Sequence, residues 1–382
     1  MRIKMAQKTG GLKFVASTGH TAGNPWWTVA MPVLSVVFLA AVFAGLVPML
    51  NGGVKAVAMV LLCGAIFAAV HHAEMIAARV GEPFGSIILA VAVTVIEVGL
   101  IVALMLASPD GGPAIARDTV YSAVMIVLTG LIGLCLVLGS HRHFEQTIRV
   151  RGTSSYLAVL GTLATIALIL PNYTVSVEGP SYSKVQLAAV ALVSLGLYVA
   201  FLFVQTVRHR DYFLSAPDDS DSAMEQHVIP ANGVTIVSSI LLLFALTAVV
   251  LLAKLLSPQL SSLIAQAGLP SEFTGVIIAG LVLAPESIAA VRASLANRPQ
   301  TSLNLALGSA LASIALTIPV ITLFTAFSTS NLVLGVSPAK TVLLVLAMFV
   351  SVITLLPGRT SVLQGMVHLG IFVIFIVLSA VP

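Results

Sequence analysis

Long apolar runs, broken at short intervals by Gly, Pro and small charged clusters, extend from Trp26 almost to the last residue of the chain. A hydrocarbon core of about 30 Å is crossed by about 20 helical residues, and eleven runs satisfy that length. They span Trp26 to Leu50, Val54 to Ala78, Pro83 to Ala107, Ala116 to Gly139, Ser155 to Pro171 and Ser183 to Val207 in the first half. In the second half they span Ala231 to Leu255, Ser271 to Ala296, Thr301 to Phe327, Pro338 to Leu356 and Ser361 to Val381. The pattern predicts an all-α polytopic membrane protein with eleven transmembrane helices. Ahead of the first run, Met1 to Gly23 is basic and polar and lacks the short apolar core and small-residue site of a cleavable signal. It reads as a cytoplasmic tail, so the first helix is retained.

Two of the runs are interrupted near their centres by an acid. Glu97 follows Gly81-Glu-Pro-Phe-Gly-Ser-Ile-Ile, and Glu286 follows Ser271-Glu-Phe-Thr-Gly-Val-Ile-Ile, one pattern written twice. The chain then divides into a basic tail (1–24), a first helix (25–50), a five-helix unit (54–207), an acidic linker (208–230) and a second five-helix unit (231–382). Because five is odd, the second unit inserts upside down relative to the first. Inverted repeats of this kind place binding sites near the membrane midplane where the units meet.

The positions of the basic residues orient this arrangement. With the N-terminus inside, 13 of the 18 Lys and Arg residues fall on the inner side, and only Lys55, Arg117, Lys184, Lys254 and Lys340 fall outside. The positive-inside bias therefore predicts a cytoplasmic N-terminus and, with eleven spans, an external C-terminus. Composition agrees with a membrane protein, at 58% hydrophobic and 8% charged residues and a mean hydropathy of +1.09. Soluble domains carry roughly 25% charged residues, so a water-soluble monomer is excluded. No basic cluster is joined to stacking aromatics, which leaves nucleic-acid binding without support. Cys63 and Cys135 both fall inside predicted spans without ligand-like spacing and read as core or lipid-facing thiols.

An ionised carboxylate at the bilayer centre costs at least ~2.5 kcal/mol, so it marks an ion or proton pathway. Hard cations such as Ca²⁺ take carboxylate, carbonyl and hydroxyl oxygens, and two carboxylates neutralise one Ca²⁺. Two carboxylates a few ångströms apart in a low-dielectric site do not both stay ionised unless a cation lies between them. Protons and cation then compete for the same oxygens, which is an exchange mechanism. Thr94, Ser122, Asn304, Ser309 and Ser313 are possible supporting ligands, and for each of them helix-packing hydrogen bonds are an equal alternative. Pro285 lacks an N–H, so the carbonyl of Leu281 loses its helical partner and is offered either as a ligand or as a simple kink.

The motifs that carry these residues resemble a known family. His72-Ala-Glu-Met-Ile-Ala-Ala-Arg-Val-Gly-Glu-Pro-Phe-Gly-Ser-Ile-Ile-Leu followed by Glu97 resembles the first repeat of the calcium/cation antiporter superfamily. Phe273-Thr-Gly-Val-Ile-Ile-Ala-Gly-Leu-Val-Leu-Ala-Pro-Glu286, with Leu307-Gly-Ser-Ala-Leu-Ala-Ser-Ile-Ala-Leu-Thr-Ile-Pro319, resembles the second. Within that superfamily the match is to the Ca²⁺/H⁺ antiporter family and its bacterial ChaA-type calcium, sodium and potassium/proton antiporters. The resemblance covers nearly the whole chain, including Arg117-Asp-Thr-Val-Tyr-Ser122 and Gly358-Arg-Thr-Ser-Val-Leu. It implies a secondary transporter, not an enzyme, that exchanges Ca²⁺, or Na⁺ and K⁺, for H⁺ without a cofactor. Relatives usually carry Asn three residues before each glutamate, where this chain has Thr94 and Leu283, and often Asn at Gly133. Cation selectivity is the property those departures touch.

Three other groups carry charge or titratable side chains. His71, His72 and Glu74 lie at the inner end of the second run, where Glu74 and His72 suit a proton relay or gate, or else an interfacial cluster that ends the span. Glu82 and Glu272 sit in first helical turns, where a negative charge suits the helix dipole and capping is the preferred reading. The Arg208 to Pro230 segment, with Asp218, Asp219, Asp221 and Glu225, lacks the Gly and terminal Glu of an EF-hand loop and reads as a solvated linker. A membrane metalloenzyme lacks the His-Glu-x-x-His spacing of a zinc site, and a channel more typically arranges its acids in subunit rings.

Overall fold

The computed structural model describes residues 23–48, 51–81, 84–107, 112–214, 230–326 and 332–382. Among the described residues, eleven helices are long and apolar enough to cross a membrane. In chain order they are α1 (Trp26–Phe43), α2 (Gly52–Val80), α3 (Phe84–Ala107), α4 (Ala114–His143), α5 (Val150–Tyr173) and α6 (Lys184–Arg208). The second half supplies α7 (Asn232–Gln266), α8 (Phe273–Leu295), α9 (Pro299–Ala326), α10 (Pro338–Leu355) and α11 (Val362–Ala380). The fold is one N-terminal helix followed by two inverted five-helix repeats.

Where the boundaries differ from the apolar runs, local chemistry explains the difference. The first helix stops at Phe43 and Gly45 follows in the left-handed region at φ 74°, short of the expected Leu50. α7 continues to Gln266 instead of Leu255, carrying Pro258 inside it, as membrane helices tolerate. α2 ends at Gly81, also left-handed at φ 74°, whose N–H bonds Ala77 O and closes the last turn.

Two short backbone pairings expose the inversion. β1 (Gln146–Thr147), between the third and fourth helices of the first unit, pairs antiparallel with β2 (Arg359–Thr360), between the fourth and fifth helices of the second. At the opposite end Ser181, in the fourth-to-fifth connection of the first unit, bridges Val333, in the third-to-fourth connection of the second. The same pair of connections therefore meets twice with the units exchanged, once at each end of the molecule. Helix contacts repeat in the same sense, with α4 against α11 and α9 against α6.

The core is aliphatic, with Ile66, Ile101, Leu128, Leu160, Leu307 and Ile318 fully enclosed, while Val37, Phe244, Phe349 and Val373 point outward. Apolar side chains on both surfaces are what a helix bundle in lipid requires. Cys63 is half-buried and Cys135 buried, and both are free thiols. The tail, Glu82 and residues 215–229, which include Asp218, Asp219, Asp221, Glu225 and His227, lie outside the described residues. The start of the expected solvated linker is packed instead. Phe213 is buried in an aromatic cluster with Tyr156 and Phe201, and Arg151 lies over the Tyr212 ring.

Candidate functional site

α3 and α8 run in opposite directions through the centre of the bundle and bring Glu97 and Glu286 to mid-length of their helices. The two carboxyls lie within range of each other's charge, and Glu74 on α2 lies within range of Glu286. Their surroundings differ. Glu97 is 3% exposed and accepts a hydrogen bond from Ser313 Oγ of α9, across the repeat interface, at 2.5 Å. Glu286 Oε2 is buried without a hydrogen-bond partner.

Glu286 faces a cavity of about 160 Å³ lined by Tyr156, Gln205, Asn304, Gly308 and Ser309 among others. A second cavity of about 630 Å³ continues from it, sharing Leu89, Gln205, Asn304 and Leu305, and is lined by Glu74, Gly81, Arg210 and Thr301. The two cavities share Asn304 and Leu305 of α9, between Glu286 and the ends of α2 and α6. That end of the bundle carries Arg79, Arg142, Arg149, Arg151, Arg208, Arg210, Arg292, Arg298 and Arg359.

The opposite end carries a network of ion pairs beside a separate cavity of about 270 Å³ lined by Tyr121, Glu272 and Lys340. Arg117 Nε bonds Asp118 Oδ1 at 2.9 Å, and its guanidinium lies 3.7 Å from Glu272. Lys340 Nζ reaches Asp118 at 3.3 Å and also pairs with Glu272. Four charges from α4, the start of α8 and the start of α10 thus neutralise one another. Beneath them a Cβ on Gly275 would stand 2.5 Å from the Asp118 carbonyl carbon, so α8 and α4 touch backbone to backbone there. This corrects the reading of Glu272 as a helix cap, because its side chain makes no cap hydrogen bond. Burial alone would raise the Glu272 carboxyl, but the hydrogen bond and charge of Lys340 and the charge of Arg117 outweigh it and hold it below the usual range. Distant partners form the cluster, and the local sequence around Glu272 carries no signal of it.

The supporting residues separate into groups. Ser313 reaches Glu97, and Ser309 and Asn304 line the Glu286 cavity. Asn304 is already engaged, donating to Phe213 O at 2.6 Å and accepting from Gln300 at 2.9 Å. Thr94 is buried and returns its hydroxyl to Ala90 O at 2.8 Å. Ser122 is buried in α4 and lines neither cavity. α8 runs unbroken through Pro285. Glu74 lines the larger cavity, whereas His72 is held against α1, its Nε2 2.9 Å from Thr28 O. Among the described residues no group of three or more His, Cys, Asp or Glu side chains is placed to hold a metal ion.

Comparison with known proteins then identifies the scaffold. Residues 50–207 and 237–381 each match the sodium/calcium exchanger protein family, one match per repeat. The chain belongs to that family. The exchanger is 50% identical over 365 residues to y4hA of Sinorhizobium fredii, covering 95% of this chain and 98% of the relative. It is 36% identical over 324 residues to the sodium-potassium/proton antiporter ChaA of Escherichia coli, covering 85% and 87%. The solved structure of native YfkE shares the fold, with a TM-score of 0.69 at 18% identity over 93% of this chain and 99% of that one. The exchanger is thus an integral membrane secondary transporter that moves cations.

Proposed function

We propose that the exchanger exports Ca²⁺ in exchange for H⁺ across a bacterial inner membrane by alternating access, with Glu97 and Glu286 binding cation or protons in turn. The observation that carries this reading is a pair of carboxyls at mid-length of inverted helices, one enclosed and hydrogen-bonded, the other lining a cavity and holding a buried unpaired oxygen. Two carboxylates without a cation between them repel in a low-dielectric site, so the empty carrier takes up protons before it reorients. Occupancy by either Ca²⁺ or two protons neutralises the site, and the two fluxes are coupled.

The arginine-rich end is cytoplasmic by the positive-inside rule, with a cytoplasmic N-terminus and a periplasmic C-terminus. The cavity then opens inward, and the Arg117, Asp118, Glu272 and Lys340 cluster closes the periplasmic side. Alternation requires those ion pairs to part and the path past Asn304 and Ser309 to close, as the units 54–207 and 231–382 move against one another. Glu74, at the mouth of the path, passes protons between the cavity and Glu286. His72, tied to Thr28 O, fixes the Glu74-bearing helix against α1, and Ser122 and Thr94 act through helix packing.

A second reading is mainly Na⁺ or K⁺ exchange for H⁺ on the same scaffold. Leu283 supplies no oxygen and Thr94 is tied to its own helix, which leaves fewer side-chain ligands than the six to eight oxygens Ca²⁺ prefers. The sodium-potassium/proton antiporter ChaA is also a 36% identical relative. Purified exchanger in acid-loaded proteoliposomes with an internal pH dye distinguishes the two. Ca²⁺ at micromolar concentration drives proton efflux on the first reading, and a response confined to millimolar Na⁺ or K⁺ selects the second. Proton efflux with none of the three refutes both.

A further inference from the structure

Thr317 lies four residues beyond Ser313 on α9, so the two side chains share one face of the helix, one above the other. It is completely enclosed, and its hydroxyl stands beside the Glu97 carboxyl that Ser313 already holds. Its Oγ1 nevertheless makes no formed hydrogen bond. That is unusual in this molecule. Thr94, Thr119, Thr129 and Thr354 each return the hydroxyl to the carbonyl four residues back at 2.6 to 2.8 Å. On α9 itself Thr322 and Thr325 do the same, at 2.7 and 2.9 Å. Thr317 instead leaves its hydroxyl unreturned to the backbone, next to the Glu97 carboxyl in the enclosed core. An unpartnered buried hydroxyl costs free energy that a valine of nearly the same shape avoids.

We propose that Thr317 Oγ1 is a cation ligand and selectivity determinant, the third oxygen source of a half-site formed with Glu97 and Ser313. This rests on the exchange reading above and names the cation class the half-site favours. One carboxylate and two neutral hydroxyls supply oxygens with a single negative charge, which one monovalent hard cation balances completely. Ca²⁺ in the same place needs the second charge of Glu286. When the proton leaves Glu97 the cation takes its place, with Ser313 and Thr317 each offering a hydroxyl lone pair to the ion while the Ser313 O–H is free to stay on the carboxylate. Thr317 therefore strengthens Na⁺ binding more than Ca²⁺ binding.

The test uses the intact exchanger with Thr317→Val and Thr317→Ser. Na⁺ binding to purified protein is measured by titration calorimetry, alongside the KM for Na⁺ and for Ca²⁺ in proteoliposomes. Thr317→Val is expected to weaken Na⁺ binding and raise its KM about tenfold, the scale of one lost polar contact, and to change the Ca²⁺ KM about threefold or less. Thr317→Ser, which keeps the hydroxyl, is expected to stay near the native values. Native-like Na⁺ binding in Thr317→Val, or equal damage in the Ser and Val variants, overturns the proposal. Absence of cation-driven proton flux in the native protein, with Na⁺ binding intact and sensitive to Thr317→Val, refutes the exchange reading while sustaining the ligand role.

Discussion

Glu97 and Glu286 occupy equivalent places in two copies of one motif, yet they are not in equivalent states. Glu97 is enclosed and held by Ser313 from the other repeat, while Glu286 has a buried unpaired oxygen and lines a cavity that shares residues with a larger one at the arginine-rich end. The ends of the bundle differ in the same sense. One is hollow around Glu74 and Arg210, and the other is bridged by four mutually paired charges and the Gly275 contact. An inverted duplication makes such asymmetry reversible in principle, since each repeat can adopt the environment now held by the other.

The largest expected effect removes either charge. Glu97→Gln and Glu286→Gln keep the shape but leave the site one charge short, and each is expected to lower cation-driven proton flux by about 100-fold or more, two lost factors of ten at about 1.4 kcal/mol each. A variant of either residue that retains most of its flux breaks the shared role of the pair. Next comes the accessibility difference. In a background lacking Cys63 and Cys135, Asn304→Cys and Ser309→Cys are expected to react with a membrane-impermeant thiol reagent from the arginine-rich side roughly tenfold faster than Ser313→Cys, which sits beside enclosed Glu97. Equal rates remove the distinction between the two environments.

The bridged end is sharpened by Lys340→Ala, which leaves buried Asp118 and Glu272 with Arg117 alone. It is expected to shift reactivity toward reagents added from the opposite side and to lower thermal stability, since removing one partner of a buried charge network costs more than an exposed pair is worth. The smallest effect is with pH. Glu272 has a lowered folded-state carboxyl, so its contribution to stability is full above the unfolded value near 4.5 and is lost as pH falls through the lower folded value. Its side chain is 41% exposed, so the drop in Tm below about pH 4.5 is modest. Glu272→Gln is expected to remove that drop, and an unchanged acid slope in the variant assigns it to other carboxylates.

The eleven helices, the duplication and both central glutamates were readable from the chain because bilayer thickness and the cost of a buried charge leave few alternatives. Contacts between repeats were not. Ser313 was one polar residue among several until the fold placed it on Glu97, and Thr317 carried no signal because a threonine in an apolar helix normally closes on its own backbone. Glu272 looked like a cap because its partners, Lys340 and Arg117, are far away in sequence. Phe213 looked like linker because its burial depends on Tyr156 and Phe201 from two other helices. Periodicity reports which residues enter the membrane, and only the packed bundle reports which of them meet.

The central claim is that cation and protons compete for the same two carboxyls. It is tested most directly by counting protons released when cation binds the purified exchanger in weakly buffered solution, for the native chain, Glu97→Gln and Glu286→Gln. Saturating cation is expected to release protons from the native protein, with fewer released and weaker binding in each variant. Cation binding with no proton release, or release unchanged in both variants, would contradict the account.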